Sequence, residues 1–373
     1  MIVTLKHIIE IMEMLAPKSL ADGWDNVGVQ VGHVDWPIRK ILVALDPTND
    51  VVSGAISEGA DLLVTHHPLI LRPLTGVNLG TPPGSTIALA LESGLAIFAA
   101  HTNLDNAEGG VNSVLAQRFG LRDVTVLRAR ERVKEYKLVV FVPEGHEERV
   151  LDVLFRFGAG RIGAYENCSF RSRGIGTFRP GEKARPFIGE VNSITQANEY
   201  RVEARVSAQS LFKLINALQR VHPYEEMAYD IYPLHQTGAK DGLGRIGYVK
   251  QEVRLIDLAR KIKETLDLDG VKIAGDPELL VKCVAVCSGS GSSLIQDFFS
   301  SDADVFVSGD LGYHDARMTE DLGKGLIDIG HFASERVIVD SLVLFLKKKI
   351  EENGWSVEID SLKGERDPFK IIS

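Results

Sequence analysis

Lys40-Ile41-Leu42-Val43-Ala44-Leu45, Asp61-Leu62-Leu63-Val64-Thr65 and Ala96-Ile97-Phe98-Ala99-Ala100 are three short apolar runs, separated by stretches long enough for a helix. A run that is apolar on both faces suits a strand buried inside a parallel sheet, and parallel strands need a crossover between them. Residues 51–58 and 86–91 supply helical crossovers, so the reading is repeated βαβ. Ahead of them Leu5, Ile8, Ile9, Met12 and Leu15 recur at helical spacing as far as Pro17, which predicts an amphipathic helix, and residues 111–119 predict another.

From about residue 129 the rhythm changes to strand 136–142, helix 147–157, strands 169–178 and 200–206, helix 210–221 and strand 228–234. Leu211, Leu214, Ile215, Leu218 and Val221 share one helix face, so this βαββαβ stretch can bury a core of its own as a ferredoxin-like module. After Thr237-Gly238-Ala239-Lys240-Asp241-Gly242-Leu243-Gly244, which reads as flexible, strands 281–286, 305–308 and 326–329, a helix over 333–351 and a strand over 356–359 complete the first fold. The expected architecture is α/β, with mostly parallel sheets flanked by helices in residues 1–128 and 236–373 and the ferredoxin-like domain inserted as residues 129–235.

Length and composition set outer bounds. A chain of 373 residues favours two domains, each able to bury a core. The net charge of −9 opposes a grip on nucleic acid phosphates. No apolar run approaches the roughly 20 residues of a membrane span, and the start lacks the pattern of a secretory signal, so a soluble cytoplasmic protein is expected. Cys168, Cys283 and Cys287 make no CxxC pair or disulfide framework and read as small buried hydrophobes.

In open α/β sheets ligands gather where strands end at their carboxyl side. Strand 61–65 is followed by His66-His67-Pro68, strand 96–100 by His101-Thr102-Asn103-Leu104-Asp105, and strand 326–329 by Gly330-His331-Phe332-Ala333-Ser334-Glu335. Any one of these residues alone reads as a polar group in a turn. Together they bring four of the ten histidines to one sheet edge, and His331 and Glu335 stand one helical turn apart on a shared face. His66, His67, Asp105, His331 and Glu335 offer nitrogen and carboxylate donors with no thiolate, which suits Zn, Mn, Fe, Co or Ni. Neighbouring side chains diverge on an extended backbone, so His66 and His67 are expected to serve two ions per chain, with Glu335 as the bridging, catalytic carboxylate. Two such ions acidify a shared water, which makes hydrolysis the expected chemistry.

Other features carry less. Cys287-Ser288-Gly289-Ser290-Gly291-Ser292-Ser293 has glycines that can admit a phosphate to backbone amides, or simply form a helix-entry turn. Gly309-Asp310-Leu311-Gly312-Tyr313-His314 puts Asp310 and His314 on the same edge, as groups that orient a ligand or touch a substrate, or as a helix cap and a surface histidine. Trp24-Asp25-Asn26-Val27-Gly28 reads as a turn, and the His222-Pro223-Tyr224-Glu225-Glu226 loop as structural.

The Trp24–Gly28 turn, Thr65-His66-His67-Pro68, His101–Asp105 and Gly330-His331 to Glu335 together resemble the NIF-three-like family, also known as GTP cyclohydrolase 1 type 2 homologs, over essentially the whole chain. Gly160-Arg161-Ile162-Gly163 and the His222 loop resemble the PII-like or CutA-like domain inserted in longer bacterial members. The resemblance implies a dinuclear metal site at His66, His67, Asp105, His331 and Glu335, with His101 beside it as a further ligand or an orienting group. It also implies a ring-shaped homohexamer and hydrolysis of a small molecule, by ring opening of a purine nucleotide or cleavage of a phosphoester. The alternative is a non-catalytic, metal-bearing hexameric scaffold or regulator whose PII-like insert senses a ligand.

Overall fold

The computed structural model of the chain describes residues 2–130, 134–163, 165–234 and 241–370. It divides into two compact units, one of Met1–Arg130 with Ala239–Ser373 and one of Glu131–Gly238.

The first unit starts with α1 (Leu5–Leu15), which buries Leu5, Ile8, Ile11 and Met12. There follow β1 (Gly28–Val31), β2 (Lys40–Ala44), α2 (Asn49–Ser57), β3 (Leu62–Thr65), α3 (Gly84–Glu92), β4 (Ala96–Ala99), α4 (Thr102–Asn106), α5 (Val111–Arg118) and β5 (Arg122–Ala129). Strands β2, β3 and β4 are parallel, and Leu62, Leu63 and Val64 at the centre of the sheet are completely buried. Burying each such aliphatic side chain contributes about 1.5–3 kcal/mol, which is why continuous apolar runs mark these strands in the sequence. Gly28, expected within a turn, instead opens β1, which pairs antiparallel with β4 as an edge strand.

The second unit runs β6 (Glu135–Pro143), α6 (Glu147–Arg156), β7 (Phe170–Phe178), β8 (Thr195–Ser207), α7 (Ala208–Val221) and β9 (Tyr229–Pro233). Its four-stranded sheet is antiparallel in the order β7-β8-β6-β9. One face of that sheet, with Leu138, Val140, Val142 and Val202, packs on Val150, Leu154, Leu214 and Leu218 of the two helices.

The first unit resumes with β10 (Gly242–Arg254), α8 (Leu255–Thr265), β11 (Lys272–Ala274), β12 (Leu280–Ser290), α9 (Ile295–Ser300), β13 (Val305–Gly309), α10 (Tyr313–Asp321), β14 (Gly325–Asp328), α11 (His331–Glu352) and β15 (Glu358–Ser361). Of the stretch expected to be flexible, residues 237–240 lie outside the described residues, and Gly242 to Gly244 are strand. These later strands do not extend the first sheet. They form a second one, β11-β14-β13-β12-β10-β5, and β15 alone returns to pair with β2. The second sheet is parallel only over β12-β13-β14; its flanks are antiparallel, so parallel pairing does not dominate there as expected. Helix α11 ties the unit together: Ile338, Leu342 and Leu346 pack into the core of the first sheet, and Val337 into the core of the second. That arrangement brings the start of α11 to the carboxyl ends of β3 and β4. No helix among the described residues is long and apolar enough to cross a membrane.

Candidate metal centre

Three chain segments deliver the site. After β3 the backbone bends: His66 N donates to Ala44 O at 3.3 Å, His67 N to Leu45 O at 3.0 Å, and Thr65 Oγ1 to His67 O at 2.8 Å. Because the two histidines follow the strand in a bend, their side chains do not diverge as an extended backbone would require. Their ring centroids lie 5.0 Å apart, and ligand atoms of His66, His67 and His101 fall within 4.8 Å of one another. After β4, His101 leads into the short helix α4, which places Asp105 in its first turn. Glycine at 330, with φ 80°, turns the chain into α11, whose first residue is His331 and whose second turn carries Glu335. His67, His331 and Glu335 form a second group able to hold an ion.

Each of the four imidazoles is held by its Nδ1. His66 Nδ1 donates to Ala100 O at 2.9 Å, His67 to Asp46 Oδ1 at 2.8 Å, His101 to Asp25 Oδ1 at 2.9 Å and His331 to Asp310 Oδ2 at 2.8 Å. Carbonyl and carboxylate oxygens only accept, so Nδ1 carries a proton, and each ring in its neutral form offers its Nε2 lone pair to a ligand. His67 Nε2 and His331 Nε2 each stand 3.1 Å from Glu335 Oε2, and His66 Nε2 stands 3.7 Å from both Asp105 Oδ1 and Glu335 Oε1. Close to both carboxylates as it is, His66 Nε2 is buried without a hydrogen-bond partner. Buried polar atoms left unpaired cost free energy, and the set left facing inward here is the nitrogen and carboxylate set that divalent metals take. The residues fit a metal centre.

The charges agree with this. Burial disfavours a protonated His67, but the Asp46 and Glu335 carboxylates outweigh it and push the ring up to about 10. Glu335 pushes His331 up to about 9 against its burial, with help from Asp310. Glu335, although buried, is held well below the usual carboxylate range by the rings of His331, His66 and His67. Burial raises the Cys287 thiol, and Asp105 and Glu335 raise it further, so it stays protonated and outside the donor set.

In the glycine-serine stretch, Ser288 and Gly289 serve the cluster. Ser288 N donates to Asn112 Oδ1 at 2.8 Å and Gly289 N to Ser334 Oγ at 2.7 Å, so these amides are already committed, while Ser288 Oγ donates to Asp105 Oδ1 at 3.1 Å. Asp310 belongs to the site through His331. His314 does not join it; it is exposed on α10, with its ring against Tyr313. In the second unit His222 Nε2 donates to Phe141 O at 2.9 Å and Nδ1 accepts from Tyr224 N at 3.1 Å, a ring satisfied on both sides. Sequence reasoning passed over Asp25 and Asp46. For Asp25 the only available signal was its place in the Trp24–Gly28 turn; for Asp46, its place directly after a buried strand.

The sequence matches the family described as Duf34/NIF3 (NGG1p interacting factor 3) over residues 3–368. It is 40% identical over 368 residues to a GTP cyclohydrolase 1 type 2 homolog of Bacillus subtilis (strain 168), covering 98% of each chain. It is 37% identical over 342 residues to one of Mycobacterium tuberculosis (strain ATCC 25618 / H37Rv), covering 90% of this chain and 89% of that one. Among solved structures it resembles a Bacillus cereus protein related to NIF3, with a TM-score of 0.74, 38% identity and 100% of both chains covered. A Staphylococcus aureus protein aligns with a TM-score of 0.81, 29% identity and 99% of both chains.

Proposed function

Because the chain belongs to the Duf34/NIF3 family and gathers four oriented imidazoles and two carboxylates in one place, we propose that it is a metal-dependent hydrolase that works with two divalent ions. Zinc suits the donors best, with manganese, iron, cobalt or nickel as alternatives. The observation that carries the reading is the buried, unpartnered His66 Nε2, which faces the Asp105 and Glu335 carboxylates among rings whose Nδ1 atoms are all committed.

In this reading His66 and Asp105 hold one ion, His67 and His331 the other, and Glu335 is shared; His101 stands beside the first pair as a further ligand. When bound, the two ions supply an acidified water and positive charge opposite a hydrolytic transition state. The chain's own part is to aim the lone pairs: Asp25, Asp46 and Asp310 fix three rings, and Gly289 leaves the space that the Glu335 carboxylate fills. The substrate class follows the relatives' name, a GTP-like purine nucleotide opened at its ring, with a phosphoester as the second class to try. The cytoplasm, where its three thiols stay free, and a homohexamer complete the proposal. A screen of GTP and phosphoesters against metal-loaded wild type, His67→Ala and Glu335→Gln tests it. Turnover by wild type and none by either folded variant is expected; full activity in either variant overturns it.

A second reading is favoured by the separate core of Glu131–Gly238. Its strand-helix-strand-strand-helix-strand order and antiparallel sheet support an inserted ferredoxin-like, PII-like domain, and a chain that carries metal as a hexameric scaffold while that domain senses a ligand or partner. Deleting residues 129–235 should then spare metal binding and abolish regulation in cells. Unchanged behaviour in cells after the deletion counts against it.

A further inference from the structure

The last segment of the chain comes back to the ligand cluster from the far end of the sequence. Ser361 of β15 lies opposite Val43 of β2, and Leu362 N donates to Val43 O at 2.9 Å. Running past the carboxyl end of β2, the chain brings Glu365 to the turn that carries Asp46. There Glu365 Oε1 accepts from Leu45 N at 2.8 Å and from Asp46 N at 3.1 Å. The Glu365 side chain is 3% exposed, and its second oxygen, Oε2, is buried with no hydrogen-bond partner; Arg336 Nε stands 3.9 Å away. Arg336 is the residue after Glu335 on α11. The same segment also reaches the start of that helix, since a Cβ added at Gly330 would stand 3.9 Å from Asp367 Oδ2.

A carboxylate buried in this way is costly to keep, and burial raises the pKa of the Glu365 carboxyl. What it secures is a relationship between two parts of the site. On one side it binds the backbone of Leu45 and Asp46; on the other it faces α11, which carries Glu335. Asp46 itself has a side chain 41% exposed, so burial of its own carboxylate does not fix it. We propose that Glu365 is a positioning residue of the metal centre: it clamps the Asp46 turn against α11, so that Asp46 holds His67 Nδ1 and His67 Nε2 faces Glu335. The inference rests on the metal-centre reading above, and it makes the segment around Glu365 part of what orients the metal ligands.

The test is zinc affinity, measured by competition against a chromophoric chelator, on the full chain as wild type, E365A, E365D, E365Q, D46A and D46A/E365A. Thermal unfolding of each metal-stripped protein is recorded alongside. Removing a group that orients a ligand costs about 10–100-fold in metal affinity, and E365A should lose that much for one ion. E365D, whose acceptor is drawn back by one methylene, should also lose affinity. E365Q keeps an oxygen in reach of both N–H groups but loses the charge that faces Arg336, and should lose less affinity than E365A or E365D. Since Glu365 acts through Asp46, D46A/E365A should bind no more weakly than D46A. Wild-type affinity in E365A and E365D, or a double variant whose loss is the product of the single losses, overturns the role; the second result marks a general structural contribution. If E365A does not fold, E365D set against E365Q decides. A wild type that binds no zinc contradicts the metal centre itself, whereas normal binding unaffected by these substitutions contradicts only the clamp.

Discussion

Gly289 and Glu335 meet with no space for one more atom: a Cβ at position 289 would stand 2.3 Å from Glu335 Oε1, and the glycine has φ +62°. Gly289→Ala therefore both strains the backbone and displaces the carboxylate that three of the short distances in the site share. A loss of about 1–3 kcal/mol in denaturant unfolding is expected, together with weakened metal binding. Wild-type metal affinity in a folded Gly289→Ala protein would show that the position of Glu335 is not critical.

Asp25 supports the start of α4 as well as His101. Its Oδ2 accepts from Thr102 N at 3.0 Å and Thr102 Oγ1 at 2.5 Å while Oδ1 takes His101 Nδ1. Burial opposes its charge, but His101 and Thr102 outweigh that and lower it to about 2 from 3.8. A carboxyl whose folded value is depressed gives stability that is present above its unfolded value and disappears as pH falls through the folded one. Asp25→Asn should cost about 1.5–3 kcal/mol near neutral pH, since the bonds lost are to a charged acceptor. The gap from wild type should close between pH 3.8 and about 2 in chemical unfolding series. A gap that stays constant over that window would rule out an ionised Asp25 as the source.

Metal uptake should release protons. With His67 pushed up to about 10 and His331 up to about 9, the metal-stripped protein holds both rings protonated at neutral pH, and a divalent ion takes only the neutral imidazole. Both folded values are raised above 6.5, so the ion pairs of the stripped protein stabilise it fully below 6.5. That stabilisation is lost as pH climbs through about 9 and 10. Calorimetric zinc titrations in two buffers of different ionisation enthalpy should give a net proton release at pH 7, and the melting temperature of stripped protein should fall toward pH 10. Identical heats in both buffers would exclude it.

The sequence discloses most where one strand or helix does all the work. The buried strands are legible because Ile41 to Leu45 and Leu62 to Val64 are apolar on both faces, and the positions after the strands read at 61–65 and 326–329 point to His66, His67 and His331 without knowledge of the tertiary structure. β5 is mostly exposed along an edge and offers no apolar run, while β10 opens on Gly242-Leu243-Gly244, the composition of a loop. Helix α8 does carry its signal, in Leu255, Leu258, Ala259 and Ile262 at helical spacing. The groups that orient the site are illegible for another reason. Asp25 reaches His101 across 76 residues and Asp46 reaches His67 across 21, distances over which spacing carries no information. Gly289 looks like part of a phosphate loop because a glycine needed beside a carboxylate and one needed beside an anion are the same residue in sequence.

The central claim, that His66, His67, Asp105, His331 and Glu335 hold divalent metal, is tested most directly by elemental analysis of purified wild type beside Glu335→Gln. About two ions per chain in the wild type are predicted, with clearly fewer in a folded variant, because the carboxylate shared by both ions is gone. Wild-type protein that carries no divalent metal, even after reconstitution with zinc, manganese, iron, cobalt and nickel, would contradict it.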